Sequence, residues 1–417
     1  MDKDLRSSQV RRLPGMRDVG GAAYERLNNV QAGFRASARR RGYEPIDTPV
    51  LEDTELFVRK SGGELTSQLY TFVDNSGRRV SLRPEFTSSV IRHFIQQSAG
   101  QSLPVRWQYG GPVFRHEPGG DSAYRQFTQV GAELIGIDGI EADVEVLGLA
   151  WQGLREAGLE GHRMRVGHLG VMQNLLAAFG LSESAKLFII GGIQDLRSGH
   201  TDADGLARQA REIGLLRHGP GSVVALDPAS TDTEATRLLV QRVLAGSVSG
   251  TVGRRTGEEI AGRLIRKAQA ADRPEKLEAA LEMVAELAPV EGPRDDAMRR
   301  ARDIVASRGL EQRPFDELDA LCDALTLGGI DESRTILDFG LARGISYYSG
   351  VIFELVHPAL SDGLSLGGGG RYDGLVKALG GDDTPALGFA YGLELVVKAL
   401  EHERSMEAGI ATASSRS

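Results

Sequence analysis

The sequence predicts an α+β protein: an antiparallel sheet flanked by helices, formed by both ends of the chain and interrupted by a mostly helical inserted domain. Three observations carry this expectation. Strand-like segments bounded by turn residues occur at residues 69–135 and again at 335–392. Between and beside them, apolar residues recur at helical spacing. From about residue 160 to 330 the composition shifts to Ala, Glu, Arg and Leu, and motif-like clusters of polar residues disappear. The expected parts are residues 1–160, 161–330 and 331–405, with a disordered Ala/Ser-rich tail over 406–417.

The elements follow in order. Residues 1–12 are polar and loose. Tyr24, Leu27, Val30, Phe34 and Ala38 mark a helix that Gly42 ends. Arg39, Arg40 and Arg41 suit the negative end of its dipole and read as a solvated helix end. Residues 44–51 are extended, with Pro45 and Pro49 favouring a sheet edge. Asp74-Asn75-Ser76-Gly77 is a hairpin turn between strands at 69–73 and 79–82. Residues 105–115 and 126–135 form two strands joined by a Gly-rich loop, and 140–156 a helix. In the inserted part, Thr256-Gly257-Glu258-Glu259 fits a capping box. Leu277, Leu281, Val284 and Leu287 keep helical spacing, glycine and proline break the stretch at 219–221 and 292–293, and a strand is expected at 187–190. Strands return at 335–339, 347–356, 366–370 and 385–392, followed by a helix over 393–400.

Composition narrows the function classes. The chain has 417 residues, 41% hydrophobic and 25% charged, as an ordinary globular protein of about two domains has. A net charge of -8 argues against a general nucleic-acid binder. The single cysteine, Cys322, excludes an internal disulfide and a Cys-based zinc site, and lies in an apolar helical stretch where it reads as a small buried hydrophobe. No run of 18 apolar residues predicts a membrane span, and the N-terminus lacks a signal core. A cytoplasmic protein without metal or cofactor is expected.

The motifs lie at both ends of the chain. They are Arg83-Pro84-Glu85-Phe86-Thr87, Phe114-Arg115-His116-Glu117, residues 126–133, Ala342-Arg343-Gly344-Ile345-Ser346-Tyr347-Tyr348, Gly370-Arg371-Tyr372-Asp373-Gly374, and residues 385–395. A free amino acid requires acids for its ammonium, an arginine for its carboxylate and a matched polar contact for its side chain, because such contacts discriminate far better than an apolar pocket. On a strand, Gln129 and Glu133 share a face. Gly131 between them leaves room for a ligand against the sheet.

Together these stretches resemble the catalytic core of the histidyl-tRNA synthetases, class II aminoacyl-tRNA synthetases. The resemblance implies that Glu85, Thr87, Gln129 and Glu133 hold the ammonium of histidine and nearby atoms. It implies that Arg343 reaches the carboxylate and that Tyr347, Tyr348 and Tyr372 line the imidazole pocket. Arg115 matches the start of the second class II motif and is counted with the site. The long helix and strand at 24–51 match the first motif, which implies a homodimer.

Two departures separate the halves of the site. Leu395 stands where the third motif has its ATP-binding arginine, and Ala123 where the second-motif loop has another. Leucine and alanine supply none of the charge-assisted contacts on which adenylyl transfer depends. The chain also ends 22 residues after Leu395, with no expected anticodon-binding domain. The pattern resembles the synthetase-like regulatory subunits of ATP phosphoribosyltransferase. No catalytic residue is then expected, tRNA is not expected as a partner, and the expected partners are L-histidine and a short-form ATP phosphoribosyltransferase catalytic subunit in a hetero-oligomer. The alternatives are a histidine–tRNA ligase, a related histidine-activating enzyme without an anticodon domain, an amino-acid ligase serving a carrier, and an inert paralogue.

Overall fold

The computed structural model describes residues 11–59, 62–97, 102–116, 125–216, 272–341, 347–360 and 364–414. The chain forms two compact units. The first comprises Met1–Val171, Glu291–Arg302 and Gln312–Ser417, and the second Met172–Val290 and Asp303–Glu311.

The elements run α1 (Gly21–Arg40), β1 (Glu44–Pro45), β2 (Leu51–Asp53), α2 (Thr54–Val58), α3 (Gly62–Ser67), β3 (Thr71–Val73), β4 (Arg79–Leu82) and α4 (Thr87–Gln97). Then come β5 (Val105–Phe114), β6 (Gln126–Ile135), α5 (Ile140–Glu156), β7 (Arg163–His168), α6 (Leu169–Ala177), α7 (Glu183–Gly191), α8 (Ile193–Ser198) and α9 (Ala203–Glu212). After these lie α10 (Pro274–Leu287), β8 (Glu291–Gly292), α11 (Arg294–Ser307), α12 (Pro314–Leu327) and β9 (Thr335–Asp338). The described chain ends with β10 (Val351–Val356), β11 (Gly367–Arg371), α13 (Gly374–Ala378), β12 (Ala386–Gly392) and α14 (Leu393–Ser414).

Nine strands form one sheet in the order β1-β5-β6-β12-β11-β10-β7-β9-β8, and β2-β4-β3 form a smaller one. The expected sheet of antiparallel strands holds through its centre. At its flanks the β1·β5 and β7·β9 pairs are parallel, so the sheet is mixed. Strand β7, within the span expected for the inserted domain, belongs to this sheet between β10 and β9.

The two faces of the sheet differ because side chains alternate along each strand. Val130, Ala132 and Leu134 of β6, together with Phe389 and Tyr391 of β12, are buried on the helix-covered face. There the Phe34 ring of α1 meets Phe389 and Tyr391 edge-on at 5.9 and 5.5 Å. Helix α5 adds Leu147, Ala150 and Trp151, all buried. On the opposite face Gln129, Gly131 and Glu133 stand level with Gly392, Ala390 and Gly388, and the next strand adds Gly368 and Gly370. On this face a floor of glycines with a glutamine and a glutamate rising from it lies beside helix α4, whose Phe94 ring meets Trp107 edge-on at 6.5 Å.

Helix α1 ends at Gly42, whose φ of +82 suits glycine. Just before it Arg40 and Arg41 reach Glu156 at 2.5 and 3.0 Å, so the expected solvated helix end is tied to the end of α5. The turn Asp74–Gly77 is present, and the Asp74 side chain accepts from the Ser76 and Arg78 amides.

Several expectations need correction. The stretch 187–190 is part of helix α7, which Ser182 caps by accepting from the Ala185 amide at 3.2 Å; a four-residue apolar run cannot distinguish a strand from a helix. Tyr347 and Tyr348 precede β10, because Ser349 bonds to the Arg371 carbonyl and strand pairing begins only at Val351. The disordered tail expected from 406 is instead helical through Ser414, as its alanines and Met406 favour. The capping box at 256–259 and the break at 219–221 lie outside the described residues. Cys322 is buried, and burial pushes its thiol up to about 12, as befits an inert hydrophobe.

Candidate functional site

Glu133 is the centre of the site. It lies on β6, fully buried, opposite Trp107 of β5 and Gly388 of β12. A Cβ at residue 388 would stand 1.5 Å from Glu133 Oε2, so glycine there makes the space for the carboxylate. Three hydroxyls donate to that carboxylate. Thr87 Oγ1 reaches Oε1 at 2.7 Å, the Tyr109 hydroxyl reaches Oε1 at 2.9 Å, and the Tyr372 hydroxyl reaches Oε2. Burial pushes Glu133 up to about 7, against the opposite pull of these hydrogen bonds. The phenols of Tyr109, Tyr347 and Tyr372 are held well above their ordinary range, chiefly by burial, and so remain donors.

Glu85 lies beside the start of α4. Its carboxylate accepts from the Ser88 amide at 3.1 and 3.2 Å, a helix-terminal contact that satisfies an otherwise unpaired N–H. It too is shifted upward, first by burial, while Arg115 and the amides pull it down. The Arg115 Nε donates to the Pro84 carbonyl at 3.0 Å, and its guanidinium lies over the Phe127 ring. Gln129 is buried, and its Oε1 is without a hydrogen-bond partner among the described residues. Tyr347, Tyr348 and Tyr372 gather as a ring cluster with centroids 5.1 to 6.5 Å apart.

The structure thus brings Thr87, Glu133 and Tyr372 into direct contact, with Tyr347 and Tyr348 against the same ring and Glu85 and Arg115 alongside. Arg343 lies outside the described residues. The room expected at Gly131 is not for a ligand: a Cβ there would meet the Phe389 carbonyl at 2.2 Å and the Tyr109 hydroxyl at 2.6 Å. Tyr109 itself was not singled out from the sequence. Its signal is register, since antiparallel pairing sets it opposite Gly131, two residues from Glu133.

Leu395 lies in the first turn of α14, partly buried, with Cδ1 3.7 Å from the Cβ position of Gly392. Its neighbour Glu394 accepts from the Thr128 amide at 3.0 Å and pairs with Arg17 at 2.8 Å. No cluster of His, Cys, Asp or Glu able to hold a metal occurs among the described residues.

A glycine-floored sheet face carrying a buried acid, backed by helices on the other face, defines a class II aminoacyl-tRNA synthetase-like core. The histidyl-tRNA synthetase family profile matches residues 15–197 and 246–396, and the chain belongs to that family. The histidine–tRNA ligase of Thermococcus kodakarensis is 32% identical over 378 residues, 91% of this chain and 70% of that protein. That of Methanosphaerula palustris is 31% identical over 391 residues, 94% and 75% of the two chains. Among solved structures, a Bacillus halodurans protein described as an ATP phosphoribosyltransferase regulatory subunit/histidyl-tRNA synthetase shares the fold with a TM-score of 0.65 at 23% identity, over 96% of this chain and 84% of that one. A histidine–tRNA ligase subunit from Alicyclobacillus acidocaldarius gives 0.59 at 24%, over 95% and 99%.

Proposed function

We propose that the protein is a non-catalytic regulatory subunit of ATP phosphoribosyltransferase, acting at the first step of histidine biosynthesis, and that it senses histidine in the pocket around Glu133. The reading rests most on a contrast within one site. The acid is built in, with three hydroxyls oriented on it and the Gln129 oxygen, four residues away, without a partner among the described residues. The position of the third-motif arginine holds Leu395, whose side chain offers phosphate nothing.

In this reading the ammonium of histidine binds Glu133 and Gln129 with Glu85 and Thr87 beside them, and its imidazole lies against Tyr347, Tyr348 and Tyr372. Arg343 takes the carboxylate, and Arg115 faces the neighbouring subsite. The partners are a second copy of this chain and a short-form catalytic subunit in the cytoplasm, and tRNA is not among them. Titration of the chain with histidine by calorimetry, then of a short-form catalytic subunit with the chain, tests the proposal. Saturable histidine binding and a histidine-sensitive complex are expected; a chain that binds neither is not this subunit.

A second reading, a histidine–tRNA ligase, is supported by the identity of 27 to 32% to curated ligases along at least 91% of the chain. Histidine-dependent pyrophosphate exchange separates the two.

A further inference from the structure

Arg83 opens the first motif, and neither the acid nor the tyrosine cluster accounts for it. Its side chain is 2% exposed, an expensive place for a cation unless its donors are met. Of its acidic neighbours, Asp47 is 88% exposed at 3.6 Å, and Glu52 acts on it from farther away while paired with Arg92. The guanidinium is spent instead on main-chain carbonyls: Nη1 donates to Thr48 O at 2.5 Å and Nε to Pro112 O at 2.9 Å. The backbone of Arg83 adds bonds to Val50 O and from the Phe114 amide. The guanidinium carbon lies 3.8 Å over the Phe86 ring, a cation–π contact. Phe86 in turn stacks on Tyr109, centroids 4.4 Å apart and planes 10° from parallel, and Tyr109 donates to Glu133. Space for the stack comes from Gly111, where a Cβ would approach Arg83 Nη2 to 2.8 Å and Phe86 Cζ to 3.3 Å.

We infer that Arg83 is a positioning residue: anchored on the 48–50 segment and on β5, it clamps the Phe86–Tyr109 stack and so holds the Tyr109 hydroxyl on Glu133. The state of the acid is thereby coupled to residues 48–50, which belong to the segment expected at the dimer contact. This deepens the proposed reading of the Glu133 pocket and rests on it only where ligand binding is concerned.

The test reads Glu133 directly. Protein carrying 13C-labelled glutamate carboxyls is titrated by NMR, with the Glu133 signal assigned by its loss in Glu133→Gln. Among the described residues, the other titratable groups facing this carboxylate are Glu85 before α4, Tyr372 after β11 and Tyr347, with Tyr43 at longer range, and the variants leave all of them in place. Arg83→Lys keeps the charge but loses the planar fork; Gly111→Ala keeps every polar group but pushes the guanidinium and Phe86 apart. Each should loosen the Tyr109 donor and raise the Glu133 midpoint by roughly one pH unit, the worth of one hydrogen bond to a charged group. Histidine, if it binds, should weaken about tenfold. A midpoint unmoved in the variants that fold, with only the melting temperature lowered, makes Arg83 purely structural and overturns the inference. If Arg83→Lys does not fold, Gly111→Ala decides. If histidine fails to bind the unaltered protein, the sensor reading falls, and the carboxyl titration still decides the role of Arg83.

Discussion

At Glu133 a fully buried carboxylate is met by three neutral hydroxyls, with no cation among its hydrogen-bond donors in the described residues. Burial lifts it from 4.5 to about 7, so between those values the folded protein holds a proton that the unfolded chain releases. A raised carboxyl contributes stability that is fully present below about 4.5 and is lost as pH rises through 7, here about 3 kcal/mol in total. We therefore predict that Glu133→Gln melts increasingly higher than the unaltered protein as pH goes from 5 to 8, while histidine binding weakens by roughly 2–5 kcal/mol, the range for truncating one side of a buried charge pair. A melting difference that stays flat across pH 5–8 would show that the acid is not strained in the free protein. The motifs made Glu85, Thr87, Glu133 and Tyr372 legible as one site. They could not show Tyr109 or the stack beneath it, because those contacts depend on strand register and on which face each ring takes.

Strands β6, β12 and β11 supply the floor, and their glycines are explained by close approach more than by turns. We predict that Gly388→Ala, whose new Cβ would fall 1.5 Å from Glu133 Oε2, displaces the carboxylate from Tyr372 and abolishes the thermal shift given by histidine. The protein itself should lose about 1–3 kcal/mol, the usual cost of overpacking, read by denaturant unfolding. Retention of the full histidine shift would mean that the ligand does not depend on the Glu133 carboxylate. At this scale amphipathic elements were readable: α1, α5 and the β3–β4 hairpin follow directly from periodicity and turn chemistry. Helix α7 and the run of α14 past residue 405 were not, since short apolar runs and Ala-rich polar ends carry no distinguishing period. The parallel pairs β1·β5 and β7·β9 join segments about 60 and 170 residues apart in sequence, beyond the reach of any local pattern.

For the whole molecule the first question is assembly. Tyr24, Val50 and Leu51 are more than a third exposed within the segment expected to mediate dimerisation. We predict a homodimer at micromolar concentration by light scattering, and a Leu51→Glu chain that scatters as a monomer. A stable monomer of the unaltered chain would remove the dimer from the proposal.

The second question is whether the chain activates histidine. A family member that makes an adenylate must neutralise three phosphates and the charge that moves between them, and arginines do this through bidentate, preorganised contacts. Here Leu395 is aliphatic, Ala123 stands where the resemblance leads one to expect a second arginine, and Arg17 beside the first turn of α14 is already paired with Glu394. We predict no histidine-dependent pyrophosphate exchange above background. Leu395→Arg alone should not restore it, because one guanidinium leaves the position of Ala123 neutral and must also compete with the nearby Glu394 carboxylate. Exchange by the unaltered chain would establish it as a histidine-activating enzyme. Exchange gained by the single substitution would instead mean that the amino-acid half of the site is catalytically complete and that one side chain separates a sensor from an enzyme.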